Sequence, residues 1–291
     1  VDKIILITGG GRGIGTACAL LAARRGYQVG VNYREDHAAA AALVAAIKDL
    51  GGEALAIQAD IADEAEVERM FAAMDARFGR LTALINNAGI LSNQMRVDQM
   101  DAARILRVMA TNVVGSFLCA REAVRRMSTL HGGAGGAIVN MSSRAAVLGS
   151  PGEYVDYAAS KAAVDALTIG LSKEVASEGI RVNGVRPGLI YTDMHGSGGE
   201  PGRVDRLRSS VPMQRGGQPD EVAQAALWLL SPEASYTTGS FIDVPAGGES
   251  FPGWRRLQPS LARPVPAGPG RLTRSAPAAS PRRQTGRAPA G

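Results

Sequence analysis

A short apolar run over residues 1–8 breaks into Gly9-Gly-Gly-Arg-Gly-Ile-Gly15, and an apolar helical stretch takes over at once, over 16–25. Five glycines in seven residues make a poor helix or strand, so this segment must be a turn. A strand, a glycine-rich turn and a helix in direct succession form a phosphate-binding arrangement. The glycines permit a tight turn and close approach of a pyrophosphate. The helix start supplies unpaired N–H groups and a partial positive charge. A glycine run alone says little; its place after the first strand of an alternating chain gives it meaning.

That alternation continues. Apolar strand patterns occupy 28–33, 53–60, 83–86, 137–141, 181–186 and 240–244. Helical patterns occupy 36–50, 64–78, 97–128, a stretch through Tyr157 to about 179, and 219–230. Strand and helix in turn predict an α/β fold, and about 250 of the 291 residues read as one continuous pattern. Residues 131–136 form a glycine-rich loop. The polar, glycine-rich stretch 193–218 reads as a lid or substrate loop rather than a domain. No internal repeat is present.

The second strand ends in Tyr33, followed by Arg34, where sites for the unphosphorylated dinucleotide usually carry an acid for the ribose. With Arg12 inside the glycine turn, two guanidinium groups would suit a ribose 2′-phosphate. The alternative has both arginines solvated and Glu35 or Asp36 holding the ribose. Asp60, ending the third strand, could cap the next helix or touch the adenine. Asn86-Asn-Ala-Gly89, after the fourth strand, could line the inner edge of a cofactor or be turn chemistry only. Asn112 is a polar residue in a mostly apolar helical stretch, which points to a buried hydrogen-bonding role.

Ser142 and Ser143 leave the carboxyl end of the fifth strand, where open parallel sheets bind ligands. Downstream comes Tyr157-Ala-Ala-Ser-Lys161. Four residues apart on a helix, the Tyr and Lys side chains share a face. An ammonium about 5 Å from the phenol, at an effective dielectric of roughly 20, favours the phenolate by about 3 kcal/mol. That predicts a phenol pKa about two units below its ordinary ~10, suited to proton exchange with a substrate oxygen. The Ser143 hydroxyl could hold the same oxygen.

Two cysteines, Cys18 and Cys119, fall in apolar helical surroundings and are expected to be buried thiols. With three scattered histidines, no metal site is expected. The net charge of +5 is concentrated in 249–291, where eight Arg face one Glu; the remainder is slightly acidic. Neither nucleic acid nor a membrane is therefore expected as a partner. No run of 18 apolar residues and no signal-peptide pattern is visible, and the cytoplasm is the expected location. From Gly247 the chain turns rich in Pro, Arg, Gly and Ala, which predicts disorder, with Phe251 and Trp254 able to dock locally. This tail reads either as a basic interaction segment or as a non-native extension.

Taken together and in order, Thr8 to Gly15, Asp60, Asn86-Asn-Ala-Gly89, Asn112, Ser143, Tyr157-Ala-Ala-Ser-Lys161 and Pro187-Gly188 with Thr192 resemble the short-chain dehydrogenase/reductase family over residues 1–248. The resemblance implies one Rossmann-type, doubly wound parallel sheet of about seven strands, assembled as a tetramer or dimer. It implies a carbonyl/secondary-alcohol oxidoreductase using NADP(H), with NAD(H) as the alternative, on a small-molecule substrate. Tyr157 would be the general acid/base, and Lys161 both its partner and a ribose ligand. Ser143 would orient the carbonyl and Asn112 would hold a water. Cofactor contacts are implied for Thr8, Gly9, Gly11, Arg12, Gly13, Ile14, Gly15, Tyr33, Arg34, Asp60, Ile61, Asn87, Ala88, Gly89, Pro187, Gly188, Ile190 and Thr192. Ser143 lies fourteen residues before Tyr157, one more than in many relatives, so the loop through Ser150-Pro-Gly-Glu153 is expected to be looser or longer.

Overall fold

The computed structural model describes residues 3–245. The expectations for the 249–291 tail, for Phe251 and Trp254, and for the domain end at 248 lie outside the described residues. In chain order the elements are β1 Ile4–Ile7, α1 Gly13–Arg24, β2 Gln28–Tyr33, α2 His37–Asp49, β3 Ala54–Gln58, α3 Glu64–Phe78 and β4 Ala83–Asn86. Then come α4 Ala102–Met109, α5 Gly115–Met127, β5 Gly136–Met141, α6 Ala145–Leu148, α7 Val155–Val175 and β6 Ile180–Pro187. The described chain closes with α8 Met194–Ser197, α9 Arg203–Leu207, α10 Pro219–Leu230 and β7 Phe241–Val244.

The seven strands are all parallel, in the order β3-β2-β1-β4-β5-β6-β7. Strand order reverses between β1 and β4, and the crevice at that reversal is where such sheets bind nucleotides. Alternation along β1 divides the core. Ile5 and Ile7 pack with residues of α1, α2 and α10, whereas Ile4 and Leu6 pack with Phe71, Met74 and residues of α5. Each face of the sheet is thereby covered by helices, so its strands are almost continuously apolar.

Helix starts follow local chemistry. Asp36, Asp63 and Asp101 each accept a hydrogen bond from the backbone N–H three residues on, opening α2, α3 and α4. Pro219 occupies the first position of α10, behind a Gln218–Glu221 capping box, so this helix has the limits expected from sequence.

The expected single helix over 97–128 is divided. A 3₁₀ turn at Val97–Gln99 precedes α4, and a π-helical turn, Ala110–Val114, separates α4 from α5. The widened turn holds Asn112, and such turns recur at functional sites. The run Ala102–Met127 has a mean hydropathy of 1.3 and is the one described helix long and apolar enough to cross a membrane. Here it packs against α3 and α7 and carries five charged side chains, from Arg104 to Arg126, beside Glu122. Cys18 and Cys119 are both free and buried.

Candidate active site

The glycine turn owes its shape to two left-handed residues, Gly9 and Gly13, with φ of 61° and 54°. It lies pressed against the chain leaving β4. A Cβ on Gly9 would come within 2.8 Å of Ala88 Cα, and one on Gly15 within 2.7 Å of Asn87 Nδ2. Hydrogen bonds lock this contact. Thr8 Oγ1 accepts from the N–H groups of Asn87 and Ala88, both at 3.0 Å. Asn87 Nδ2 donates to the carbonyls of Thr8 at 2.9 Å and Gly9 at 3.0 Å. Asn86 reaches inward to Ser116 O and Asn140 Oδ1. The two asparagines therefore act as turn braces.

Sequence reading missed Asn32, whose buried Oδ1 accepts from Gly9 N–H at 3.1 Å while its Nδ2 donates to Ala59 O at 2.9 Å. It ties the glycine turn to the chain leaving β3. An amide inside an otherwise apolar strand was the available signal.

At the carboxyl end of β2, the arginines differ. Arg12 is exposed, and its side chain forms no hydrogen bond or ion pair among the described residues. Arg34 donates from Nε to Glu35 at 2.9 Å, and its Nη1 lies 4.0 Å from Asp60. Tyr33 turns its hydroxyl to His37 Nδ1 at 2.7 Å. Asp60 accepts from Ala62 N–H at 2.9 Å in the turn before α3, whose cap is Asp63. Ile61 is buried in the core, with its side chain and its carbonyl both against Gly115.

The reactive end brings Ser143, Tyr157, Lys161, Ile14 and Thr192 to one solvent-open cleft, shared with Asn87. Thr192 stands opposite the glycine turn, its Cγ2 3.3 Å from where a Gly13 Cβ would be. Gly188 is held by its N–H on Val244 O at 3.0 Å, and Pro187 O accepts from Arg144 N–H at 2.9 Å. Ile190 bridges to Gly217, and its carbonyl faces His195 Nε2 at 3.0 Å. The loop before Tyr157 contains α6 and three left-handed residues, Gly149, Ser150 and Gly152.

Lys161 Nζ lies 5.7 Å from the centre of the Tyr157 ring, so the two share a face as expected. The electrostatics differ from expectation. Burial pushes the phenol up, to about 12, with the Ser143 hydroxyl opposing. Burial pushes the ammonium down, to about 8, with Asp165 opposing. The expected acidic phenol is thus reversed. Desolvation penalises both charges, and Lys161 Nζ is anchored on Met141 O at 2.7 Å.

Asn112 is fully buried. Its Oδ1 accepts from Ile90 N–H at 2.8 Å, and its Nδ2 donates to Ile90 O and Ser160 Oγ, both at 3.0 Å. Ser160 Oγ in turn donates to Tyr157 O at 2.7 Å. Gly89 sits where a Cβ would crowd Lys161 Nζ at 3.3 Å. A second brace, also unseen in the sequence, joins α4 to α7. Arg104 Nε donates to Asp156 Oδ2 at 2.8 Å, and Asp156 Oδ1 accepts from Tyr157 N–H at 2.9 Å. These partners are distant in sequence, and no local pattern links them.

The segment 193–218 is folded around α8 and α9. Arg203 pairs with Glu153 and Glu200, and Tyr154 donates its hydroxyl to Gly198 O at 3.2 Å.

A family model described as enoyl-(acyl carrier protein) reductase matches residues 9–248. The uncharacterized oxidoreductase YgfF of Escherichia coli K12 is 63% identical over 246 residues, covering 84% of this chain and 99% of that protein. A short-chain dehydrogenase of Burkholderia cenocepacia, solved with NADP, is 34% identical with a TM-score of 0.77, covering 85% and 98%. A 3-ketoacyl-(acyl-carrier-protein) reductase of Brucella melitensis, solved with NADH, is 32% identical with a TM-score of 0.78, covering 85% and 98%. The chain belongs to the short-chain dehydrogenase/reductase family. It is an NAD(P)-dependent oxidoreductase with that family's single Rossmann-type sheet.

Proposed function

We propose that the enzyme interconverts a carbonyl and a secondary alcohol with NADP(H) as preferred cofactor, and that Tyr157 is its general acid/base. The observation that carries this reading is the convergence of Tyr157, Ser143 and Lys161 on one cleft that also reaches Thr192, opposite the glycine turn. The residues fit a dinucleotide. The left-handed Gly9 and Gly13 shape a tight turn at the start of α1, where phosphates would meet backbone N–H groups, and Arg12 offers an uncommitted side-chain charge at its rim. Thr8, Gly11, Ile14, Asn87, Ala88, Gly89, Pro187, Gly188, Ile190 and the Ile61 backbone would shape the rest of that site, and Thr192 would hold the carboxamide. When bound, the cofactor supplies the hydride chemistry.

The chain's own residues supply position and protons. Ser143 holds the substrate oxygen and Tyr157 gives or takes its proton. Lys161 supports the phenolate and binds the ribose. With phenol and ammonium both buried, the ordinary proton holder is the neutral phenol, which suits carbonyl reduction near neutral pH. The Asn112 side chain is committed to Ile90 and Ser160 and its carbonyl accepts from Ser116 Oγ at 2.8 Å, so a relay water would use that carbonyl's second lone pair. Residues 1–248 form the catalytic domain in this reading, with 249–291 as a separate tail, in a cytoplasmic homotetramer or dimer. A 3-oxoacyl thioester is the substrate reading favoured by the Brucella relative's name. A sugar is the other substrate class to be screened.

Tyr157→Phe tests the assignment. Turnover, followed at 340 nm with a panel of 3-oxoacyl thioesters, ketones and sugars, is expected to fall at least about 10²-fold. Dinucleotide affinity should stay within a few-fold. Undiminished turnover would overturn the role of Tyr157.

A further inference from the structure

Beneath the reactive pair runs a ladder of alternating charges that the sequence motifs do not include. Tyr157, Lys161 and Asp165 follow one another at four-residue intervals along α7, so all three lie on one face. Asp165 is buried, with 8% of its surface exposed. Its Oδ2 accepts from Arg186 Nε on β6 at 3.0 Å, while Oδ1 is buried without a hydrogen-bond partner. Arg186 stacks on the Phe241 ring, 3.8 Å from its centre, and its Nη1 lies 3.7 Å from Asp243 on β7. Asp243 also pairs with Arg144, the residue after Ser143, which lines the cleft.

We propose that Asp165 is a positioning residue: its buried carboxylate, held in place by Arg186, keeps Lys161 charged beside Tyr157. A buried carboxylate is costly unless a cation faces it. Asp165 has Arg186 in direct contact and Lys161 one helical turn away on the same face of α7. The other groups around Lys161 carry no carboxylate. They are Met141 O and Ser142 from the β5 side, Asn112 from the π turn, Gly89 from the β4 turn, and the Tyr157 phenol one turn above, neutral by burial. Asp165 is therefore the one carboxylate among the described residues that acts on the ammonium, and the coupling between the two is reciprocal. The Arg186–Asp243–Arg144 continuation fixes the carboxylate and ties it to the cleft wall beside Ser143. This proposal rests on the role assigned to Lys161, but its test needs neither turnover nor cofactor.

The sequence has four lysines, Lys3, Lys48, Lys161 and Lys173, so NMR of the ε-¹³C-lysine protein yields four signals. The signal absent from Lys161→Arg is that of Lys161. In Asp165→Asn its titration midpoint should fall by about one pH unit or more, the usual effect of losing an opposite charge at this range. The double variant Asp165→Asn/Arg186→Gln removes both members of the Asp165–Arg186 pair, so no guanidinium is left facing an amide, and it should move the midpoint in the same direction. Asp165→Glu should restore it, and Glu174→Gln, an exposed acid of the same helix, should leave it unchanged. A purely structural role for Asp165 would lower stability with the midpoint unmoved. An unmoved midpoint in the folded double variant overturns the proposal, whatever the activity of Tyr157→Phe.

Discussion

Arg12 and Arg34 were expected to share the recognition of a ribose 2′-phosphate, and the structure gives only Arg34 side-chain partners among the described residues. The phosphate carries a charge near −2 at neutral pH, and a guanidinium meeting it makes charge-assisted bonds worth about 1.5–3 kcal/mol when shielded. At the exposed rim solvent lowers this to about 1–2 kcal/mol, or roughly 5–30-fold in affinity. Arg12, with no side-chain partner among the described residues, should deliver most of that. Arg34 must first leave Glu35 and Asp60, so its net contribution is smaller, about 2–4-fold. Nicotinamide fluorescence titrations at low and moderate salt would measure NADPH and NADH affinities for Arg12→Ala, Arg34→Ala and Glu35→Gln. Arg12→Ala should weaken NADPH most, Arg34→Ala less, and Glu35→Gln should strengthen it a few-fold by releasing Arg34. NADH should move less than about twofold in all three, and the NADPH effects should shrink with salt. Equal losses for both cofactors would refute the 2′-phosphate reading. A larger loss for Arg34→Ala than for Arg12→Ala, with Glu35→Gln neutral, would refute the competition argument.

Two further outcomes follow from packing and burial. Gly15→Ala places a Cβ against Gly9 O and Asn87 Nδ2; overpacking there should cost about 1–3 kcal/mol, lowering Tm by several degrees in calorimetry and weakening both dinucleotides together. Lys161→Met should raise Tm at pH 7 while abolishing activity, because the buried ammonium is destabilising. The pH dependence has a definite sign. With the folded pKa lowered to about 8 from 10.5, the penalty is fully present below 8 and fades as pH rises toward 10.5. The stability gain of the variant should fade over the same window in Tm measured from pH 7 to 10.

Legibility in the sequence tracked the range of the interaction. Patterns within one element were readable. β2, α3, β4 and α10 have their expected limits, because apolar alternation, Asp63 at a helix start and Pro219 at another are local signals. The division of 97–128 was not readable, since the π turn is held open by Asn112 reaching across to Ile90, a contact between segments. Long-range pairs were invisible for the same reason: Arg104 finds Asp156, and Asp165 finds Arg186, only once α7 lies against its neighbours. The Tyr157–Lys161 pair shows where spacing stops being sufficient. Four residues on a helix place the side chains on one face, and this the structure bears out. The sign of the phenol shift depends instead on how much water the folded cleft leaves around each charge. At an effective dielectric of roughly 20 the ammonium's pull would dominate. In the cleft, desolvation exceeds it, and the ammonium is anchored on a carbonyl of β5. A phenol held neutral by burial needs its phenolate stabilised chiefly as the proton leaves, which places the burden on Ser143 and on whatever keeps Lys161 charged. That makes the acid one turn below Lys161 part of the same chemical problem as the tyrosine one turn above it.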